Sequence, residues 1–74
     1  MNEIFSERLM LAMRRANMTQ QDLAKKTGLT ASAISHYANG KQCPHSTALL
    51  KIANAMHVSA DFLLGRTPYP GGMR

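Results

Sequence analysis

The sequence predicts an all-α domain made of five short helices around a single core. Apolar residues recur every three or four positions through most of the chain, which places them on one face of each helix. Residues that favour helix starts, followed by residues that end helices, divide the chain into five segments. No stretch shows the apolar and polar alternation of a strand, and no segment repeats another.

The first helix is expected from Glu3 to Ala16, with Asn2 as its N-cap. Its apolar face is formed by Phe5, Leu9, Ala12, Met13 and Ala16. The arginines that lie off this face, and are therefore expected in solvent, are Arg8, Arg14 and Arg15. The methionines expected in the core or at helix junctions are Met10, Met13, Met18 and Met56.

The pattern of residues 18–41 predicts two helices joined by a tight turn. Thr19 is a good N-cap, and Asp22 follows it in the first turn, where the helix dipole favours a carboxylate. Gly28 is suited to end this helix because glycine readily adopts the left-handed conformation. Thr30 then caps the third helix, which runs from about 31 to 38 and stops at Asn39-Gly40.

The spacing of three small or branched residues makes this segment a helix-turn-helix. Ala24 permits a close crossing of the two helices, Gly28 permits the sharp reversal, and Ile34 fills the angle between them. The third helix of the chain needs Ile34, Tyr37 and Ala38 on its inner side, which leaves its other side facing outward.

The C-terminal third predicts two more helices and a tail. Ser46 or Thr47 starts the fourth helix, which runs to about Met56; its apolar residues are Leu49, Ile52, Ala53 and Met56. Ser59 caps the fifth, in which Phe62 and Leu63 point inward and which Gly65 ends. We expect a domain over residues 1–66 and a flexible tail over 67–74, where proline and glycine replace the helical pattern.

Charge indicates a polyanionic partner. The 74 residues carry nine Lys and Arg against four Asp and Glu, and no acid lies between Leu23 and Ala60. Recruitment of the acids by helix dipoles is the alternative explanation for that distribution. The single Cys43 favours a reducing cytoplasm, and a start bearing Glu3 and Glu7 predicts no secretory signal, so a cytoplasmic location is expected.

Three stretches, T-Q-Q-D-L-A, G-L-T and I-S-H-Y-A-N-G-K, resemble the Cro and phage-repressor type (XRE) family of helix-turn-helix DNA-binding proteins. The likeness extends from about Phe5 to the F-L-L-G-R-T segment at residues 62–67. It implies a compact lambda-repressor-like fold and a sequence-specific transcriptional regulator, most simply a phage-type or bacterial repressor. An antitoxin with the same DNA-binding domain is the alternative, and a membrane-surface or scaffolding helical protein is a third class.

The resemblance places base reading on the outward side of the third helix, at Ala31, Ser32, Ser35 and His36. Their chemistry suits this role, because hydroxyls and imidazoles donate to base edges and Ala can touch a thymine methyl. For His36, a surface histidine without a partner is the competing interpretation.

The resemblance also implies contacts to DNA phosphates. It implies them at Gln20, at the positive end of the second helix, and at Asn39 and Lys41. Thr19, Ser46 and Thr47 are further candidates, although capping alone would explain them. Many family members carry a basic residue seven positions before this glutamine, and here that position is Met13. Arg14 or Arg15 could reach a DNA backbone from the first helix, and a surface position without contact is the alternative for at least one of them.

A homodimer with DNA is the expected assembly, because one small domain covers about half of a two-fold site. Phe62, Leu63 and Tyr69 are candidates for its surface, unless Phe62 and Leu63 lie wholly in the core. We expect no enzyme, cofactor or metal: the acids form no pair, and Cys43, His45, His36 and His57 match no zinc spacing.

Overall fold

The computed structural model describes residues 2–69, and over that range the chain is all-helical with no strand. Its five helices are α1 (Asn2–Ala16), α2 (Gln20–Thr27), α3 (Ala31–Ala38), α4 (Ser46–Met56) and α5 (Ala60–Leu63). The expected fold class is confirmed. Because α1 begins at Asn2, that residue is helical rather than the expected cap before the helix, and its side chain lies outside the described part, as do residues 70–74.

Side-chain caps define the two central helices as expected. The Thr19 hydroxyl accepts from the Asp22 N–H at 3.1 Å, while the Asp22 carboxylate accepts from the Thr19 N–H at 3.0 Å. This reciprocal pair fixes the start of α2. Gly28 ends the helix in the left-handed conformation at φ 77°, and the Thr30 hydroxyl accepts from the Ala33 N–H to start α3.

All five helices contribute to one core. Its largest fully buried side chains are Phe5, Leu9, Leu23, Ile34, Ile52, Phe62 and Leu63. Ala24 is also buried, which agrees with its expected role in a close crossing of α2 and α3. The core therefore fixes how the helix-turn-helix is presented by the rest of the domain.

Two residues expected in or near the core are exposed. Ala16 is the last residue of α1 and extends beyond the core that Phe5 and Leu9 fill. Met10 follows Leu9 by about 100° around the helix and is 48% exposed. The expectation for Ala16 is therefore wrong, whereas Met10, expected in the core or at a helix junction, lies at the junction of α1 with α2 and α3 rather than in the core.

Arg8 was expected in solvent, and this is also wrong. Its Nη1 donates to the carbonyl of Phe62 at 3.2 Å and to that of Thr67 at 2.8 Å. The guanidinium lies 4.7 Å from the centre of the Phe62 ring, within the range of a cation–π contact. Arg8 thus holds the segment after α5 against α1, and Thr67, where the tail was expected to begin, is buried.

We expect Arg8→Met to lower the free energy of unfolding by about 1–3 kcal/mol, because it removes two hydrogen bonds that the charged guanidinium donates to carbonyls and its contact with the Phe62 ring. Arg8→Lys should recover little of this, since an ammonium cannot reproduce the planar stacked geometry. Urea unfolding measures the effect. Arg15→Met, on the same helix at an exposed position, is the control and should change the unfolding midpoint little; equal loss in both variants would contradict this role of Arg8.

The bounds of α4 and the cap of α5 are as expected, whereas capping as the explanation for Ser46 and Thr47 is wrong. The N-cap of α4 is His45, which makes no side-chain cap hydrogen bond, so Ser46 and Thr47 do not cap this helix. Ser59 caps α5 as expected, with its hydroxyl accepting from the Phe62 N–H at 3.0 Å. Phe62 and Leu63 are 2% and 0% exposed, so neither is available for a dimer surface.

Candidate nucleic-acid interface

One side of α3 packs into the domain and the other faces solvent. Ile34 and Ala38 are buried, and the Tyr37 ring meets Phe5 edge-on with ring centres 6.4 Å apart. The four residues expected to read bases lie on the other side. Three of them, Ala31, Ser32 and His36, are exposed, and Ser35 is half-buried.

A contact from α1 helps to place the C-terminal end of α3. The Ser6 hydroxyl donates to the carbonyl of Ala38, which is one of the carbonyls that a helix end leaves without an intrahelical partner. The Phe5–Tyr37 ring contact lies beside it in the sequence. Ser6 was not singled out from the sequence, and nothing in its spacing indicates that it reaches a residue 32 positions away.

Thr27 organises the turn between α2 and α3 and was also missed. Its buried hydroxyl donates to the Leu23 carbonyl at 2.8 Å and accepts from the Leu29 N–H at 3.2 Å. The turn is therefore tied to the end of α2 by a side chain as well as by Gly28. A hydroxyl residue directly before a helix-ending glycine is the signal that could have indicated this role.

The N-terminus of α2 presents backbone donors near the C-terminal end of α3, since Gln20 and Ala38 line one groove. The first N–H groups of a helix have no intrahelical partner. Here the capping box uses those of Thr19 and Asp22, which leaves the N–H groups of Gln20 and Gln21, and both side chains are exposed. The Thr19 hydroxyl accepts in the cap but keeps its own proton to donate.

Asp22 keeps a negative charge at this helix end. Its pKa lies below the ordinary value, chiefly because its carboxylate accepts from the Thr19 backbone N–H, with further contributions from the Thr19 side chain and from the charge of Lys25. At neutral pH this carboxylate is therefore ionised. It is held towards the backbone that it caps, so its position is determined by Thr19 rather than by solvent.

The other residues expected to contact phosphates lie at exposed helix ends. Asn39 is the C-cap of α3, and its side chain amide donates weakly to Ser35 at 3.4 Å. Lys41 follows it at an exposed position, and Ser46 and Thr47 are exposed at the start of α4. All four side chains are therefore accessible at the surface.

Charge on the described part of the chain is asymmetric. The lysines at Lys25, Lys26, Lys41 and Lys51 are exposed, and the one ion pair within residues 2–69 joins Asp61 to Arg66 at 3.9 Å. The helix-turn-helix region is thus a basic, polar surface.

Within residues 2–69, no three His, Cys, Asp or Glu side chains converge as metal ligands would. None of the helices in this range is long and apolar enough to cross a membrane.

A helix-turn-helix with a polar outer face and a basic surround defines a nucleic-acid-binding class of protein. A family model described as helix-turn-helix matches residues 9–63. The chain belongs to this family, in its Cro and phage-repressor type, and has the lambda-repressor-like fold. The family consists of DNA-binding proteins that are not enzymes.

Curated relatives are similar over most of this chain. The HTH-type transcriptional regulator YqaE of Bacillus subtilis is 38% identical over 61 residues, which cover 82% of this chain and 53% of the relative. ImmR, an HTH-type transcriptional regulator of the same species, is 35% identical over 81% of this chain and 47% of its own length.

A third relative is the cryptic phage CTXphi transcriptional repressor RstR of Vibrio cholerae. It is 35% identical over 81% of this chain and 54% of its own length. The chain therefore spans about half the length of these relatives. No solved structure gives a significant match.

Proposed function

We propose that this chain is the DNA-binding unit of a transcriptional repressor that binds a pseudopalindromic operator as a homodimer and blocks polymerase there. The observation that carries the proposal is the two-sided character of α3, with Ile34 and Ala38 buried and Ser32 and His36 exposed. A short helix that presents small polar side chains to solvent on a basic domain suits entry into the major groove. Regulators and a repressor among its relatives support the regulatory role.

Docking follows from the arrangement of the two central helices. The exposed side of α3 enters the major groove, and α2 crosses the DNA backbone with its N-terminus towards it. Ser32 and Ser35 donate to or accept from base edges, Ala31 touches a thymine methyl, and His36 donates to guanine. None of these is a long bidentate reader, so water and DNA shape supply part of the selectivity.

Phosphate binding at α2 uses the donors that its cap leaves available. The N–H groups of Gln20 and Gln21, together with the Gln20 side-chain amide, converge on one phosphate. Asp22 is close in sequence, but its carboxylate is directed to the Thr19 N–H. Asn39, Lys41 and the hydroxyls of Thr19 and Ser46 contact further phosphates. Neutralisation of about five phosphates per dimer by the basic side chains would give a log–log salt slope of roughly −4 to −5.

Dimerisation follows from the size of the domain, because one copy covers about half a site and two-fold dimers place their reading helices ~34 Å apart. With Phe62 and Leu63 buried, the surface draws on exposed apolar residues near the end of α5. Leu64 and Tyr69 are 44% and 66% exposed, and Ile4 lies against Gly65. Tyr69 is thus the sequence candidate that remains available.

Selection of bound sequences from a random duplex pool tests the function. We expect the wild-type chain to recover a two-fold symmetric site with its half-sites about one DNA turn apart. Gln20→Ala should weaken binding to every duplex about equally, whereas His36→Ala should change which bases are preferred at fixed positions. Recovery of no preferred sequence by the wild-type chain would contradict operator recognition, and parallel effects of both variants would contradict the assignment of their roles.

A further inference from the structure

A groove of about 200 Å³ opens where the C-terminal half of α1 meets the start of α2 and the end of α3. The residues that line it are Met10, Met13, Arg14, Met18, Gln20 and Ala38. Three flexible thioether side chains and an alanine give the groove an apolar, adaptable wall. The groove therefore combines an apolar surface with one cation and one amide.

The charge of the groove is positive. Arg14 is exposed, and within residues 2–69 no carboxylate forms an ion pair with it or lines the groove. Asp22, the acidic residue on the adjoining turn of α2, is engaged with both groups of Thr19. An occupant of this groove would thus carry negative charge beside an apolar portion.

The groove is continuous with the proposed phosphate site, because Gln20 belongs to both. A DNA strand offers a phosphate at each nucleotide, separated by the apolar edges of the deoxyribose rings, which matches this combination of surfaces. Arginine is well suited to phosphate, since its planar guanidinium donates two parallel hydrogen bonds.

We propose that the groove holds a stretch of the DNA sugar–phosphate backbone, with Arg14 bound to the phosphate next to the one held at Gln20. The thioether groups of Met10 and Met18 contact the intervening sugar. This inference rests on the proposed DNA-binding function and adds a site to it. Arg14 is then the cation of the backbone contact on α1, whereas Arg15 is not part of the contact.

Arg15 provides a matched control for Arg14. The two residues are adjacent, exposed and equal in charge, but they differ by about 100° around α1. Arg15 lies seven residues after Arg8 and so shares the face that Arg8 directs towards Phe62. Neutralising either residue changes the net charge equally, and only Arg14 lines the groove.

The test is the salt dependence of binding, measured by fluorescence anisotropy with a labelled random-sequence duplex of about 30 base pairs, near three DNA turns. We expect Arg14→Gln to reduce the log–log salt slope by about 0.9 for each chain bound, while Arg15→Gln leaves it unchanged. Equal slopes for both variants would overturn the Arg14 contact. Failure of the wild-type chain to bind any duplex would instead overturn the proposed function.

A second pair of variants tests the groove itself. Met10→Glu places a carboxylate in it at a position that is 48% exposed and therefore tolerant of a polar side chain. Asn54→Glu makes the same charge change at an exposed position on α4. We expect Met10→Glu to weaken duplex binding about tenfold or more and Asn54→Glu to change it less than about twofold, with both helical by circular dichroism. Similar binding by the two folded variants would overturn the proposal.

Discussion

Replacing Ser32 by Glu is expected to weaken duplex binding by about 100-fold or more while leaving the domain folded. Ser32 is exposed in the first turn of α3, where a carboxylate is favoured by the helix dipole, so the fold should tolerate the change. In the proposed complex the same carboxylate faces the acceptor-rich, anionic groove of DNA, where like-charge opposition costs several kcal/mol. Competition binding at fixed salt measures the loss.

The matched control for this variant is Asn54→Glu, which alters net charge identically on a different helix. It should bind nearly as well as the wild-type chain, because long-range effects of one exposed charge are screened by salt. Comparable losses in the two variants would show that net charge, rather than the face of α3, governs binding.

Ile34→Ala is expected to lower the free energy of unfolding by about 2–5 kcal/mol, the usual cost of deleting a branched side chain from a packed core. Ile34 is 0% exposed at the junction of α2 and α3. For a domain of this size the total is only about 4–11 kcal/mol, so the variant should be partly unfolded near physiological temperature. Thermal and urea unfolding followed by circular dichroism measure the change.

Leu50→Ala is the matched control, since it removes a similar aliphatic side chain that is 54% exposed on α4. It should shift the unfolding midpoint far less than Ile34→Ala, because surface substitutions usually stay within about 0.5 kcal/mol. Equal destabilisation by both would contradict the placement of Ile34 at the centre of the core.

The helix-turn-helix was predictable because its signals are local. Thr19, Asp22, Gly28 and Thr30 act within one or two turns of their own position, and each adopts the expected role. The inward side of α3 followed in the same way from helical periodicity, which assigned Ile34 to the core. Local capping chemistry and periodicity thus sufficed to define the face of α3 that is exposed.

Long-range partners could not be predicted in this way. Arg8 looked solvated because helical spacing excludes it from the apolar face, yet its guanidinium reaches carbonyls 54 and 59 residues away. Ser6 reaches Ala38 on similar terms. Helical spacing also could not predict whether the Phe62 side chain is buried or exposed, because its exposure depends on the α1 side chains that pack over it.

The groove illustrates a further limit of sequence reasoning. Met10 and Met18 read as packing residues, and their shared surface with Arg14 and Gln20 exists only where three helices meet. The sequence therefore indicated the reading face of the motif but not the groove beside it.

DNA recognition as proposed requires that the exposed side of α3 enters the duplex while α2 contacts its backbone. Titration of the isotope-labelled chain with a duplex selected from the random pool, followed by amide chemical shifts, tests it most directly. We expect the largest shifts in residues 20–21, 31–36 and 39–41 and little change in α5. Saturable shifts centred on α4 or α5, with α3 unaffected, would contradict it.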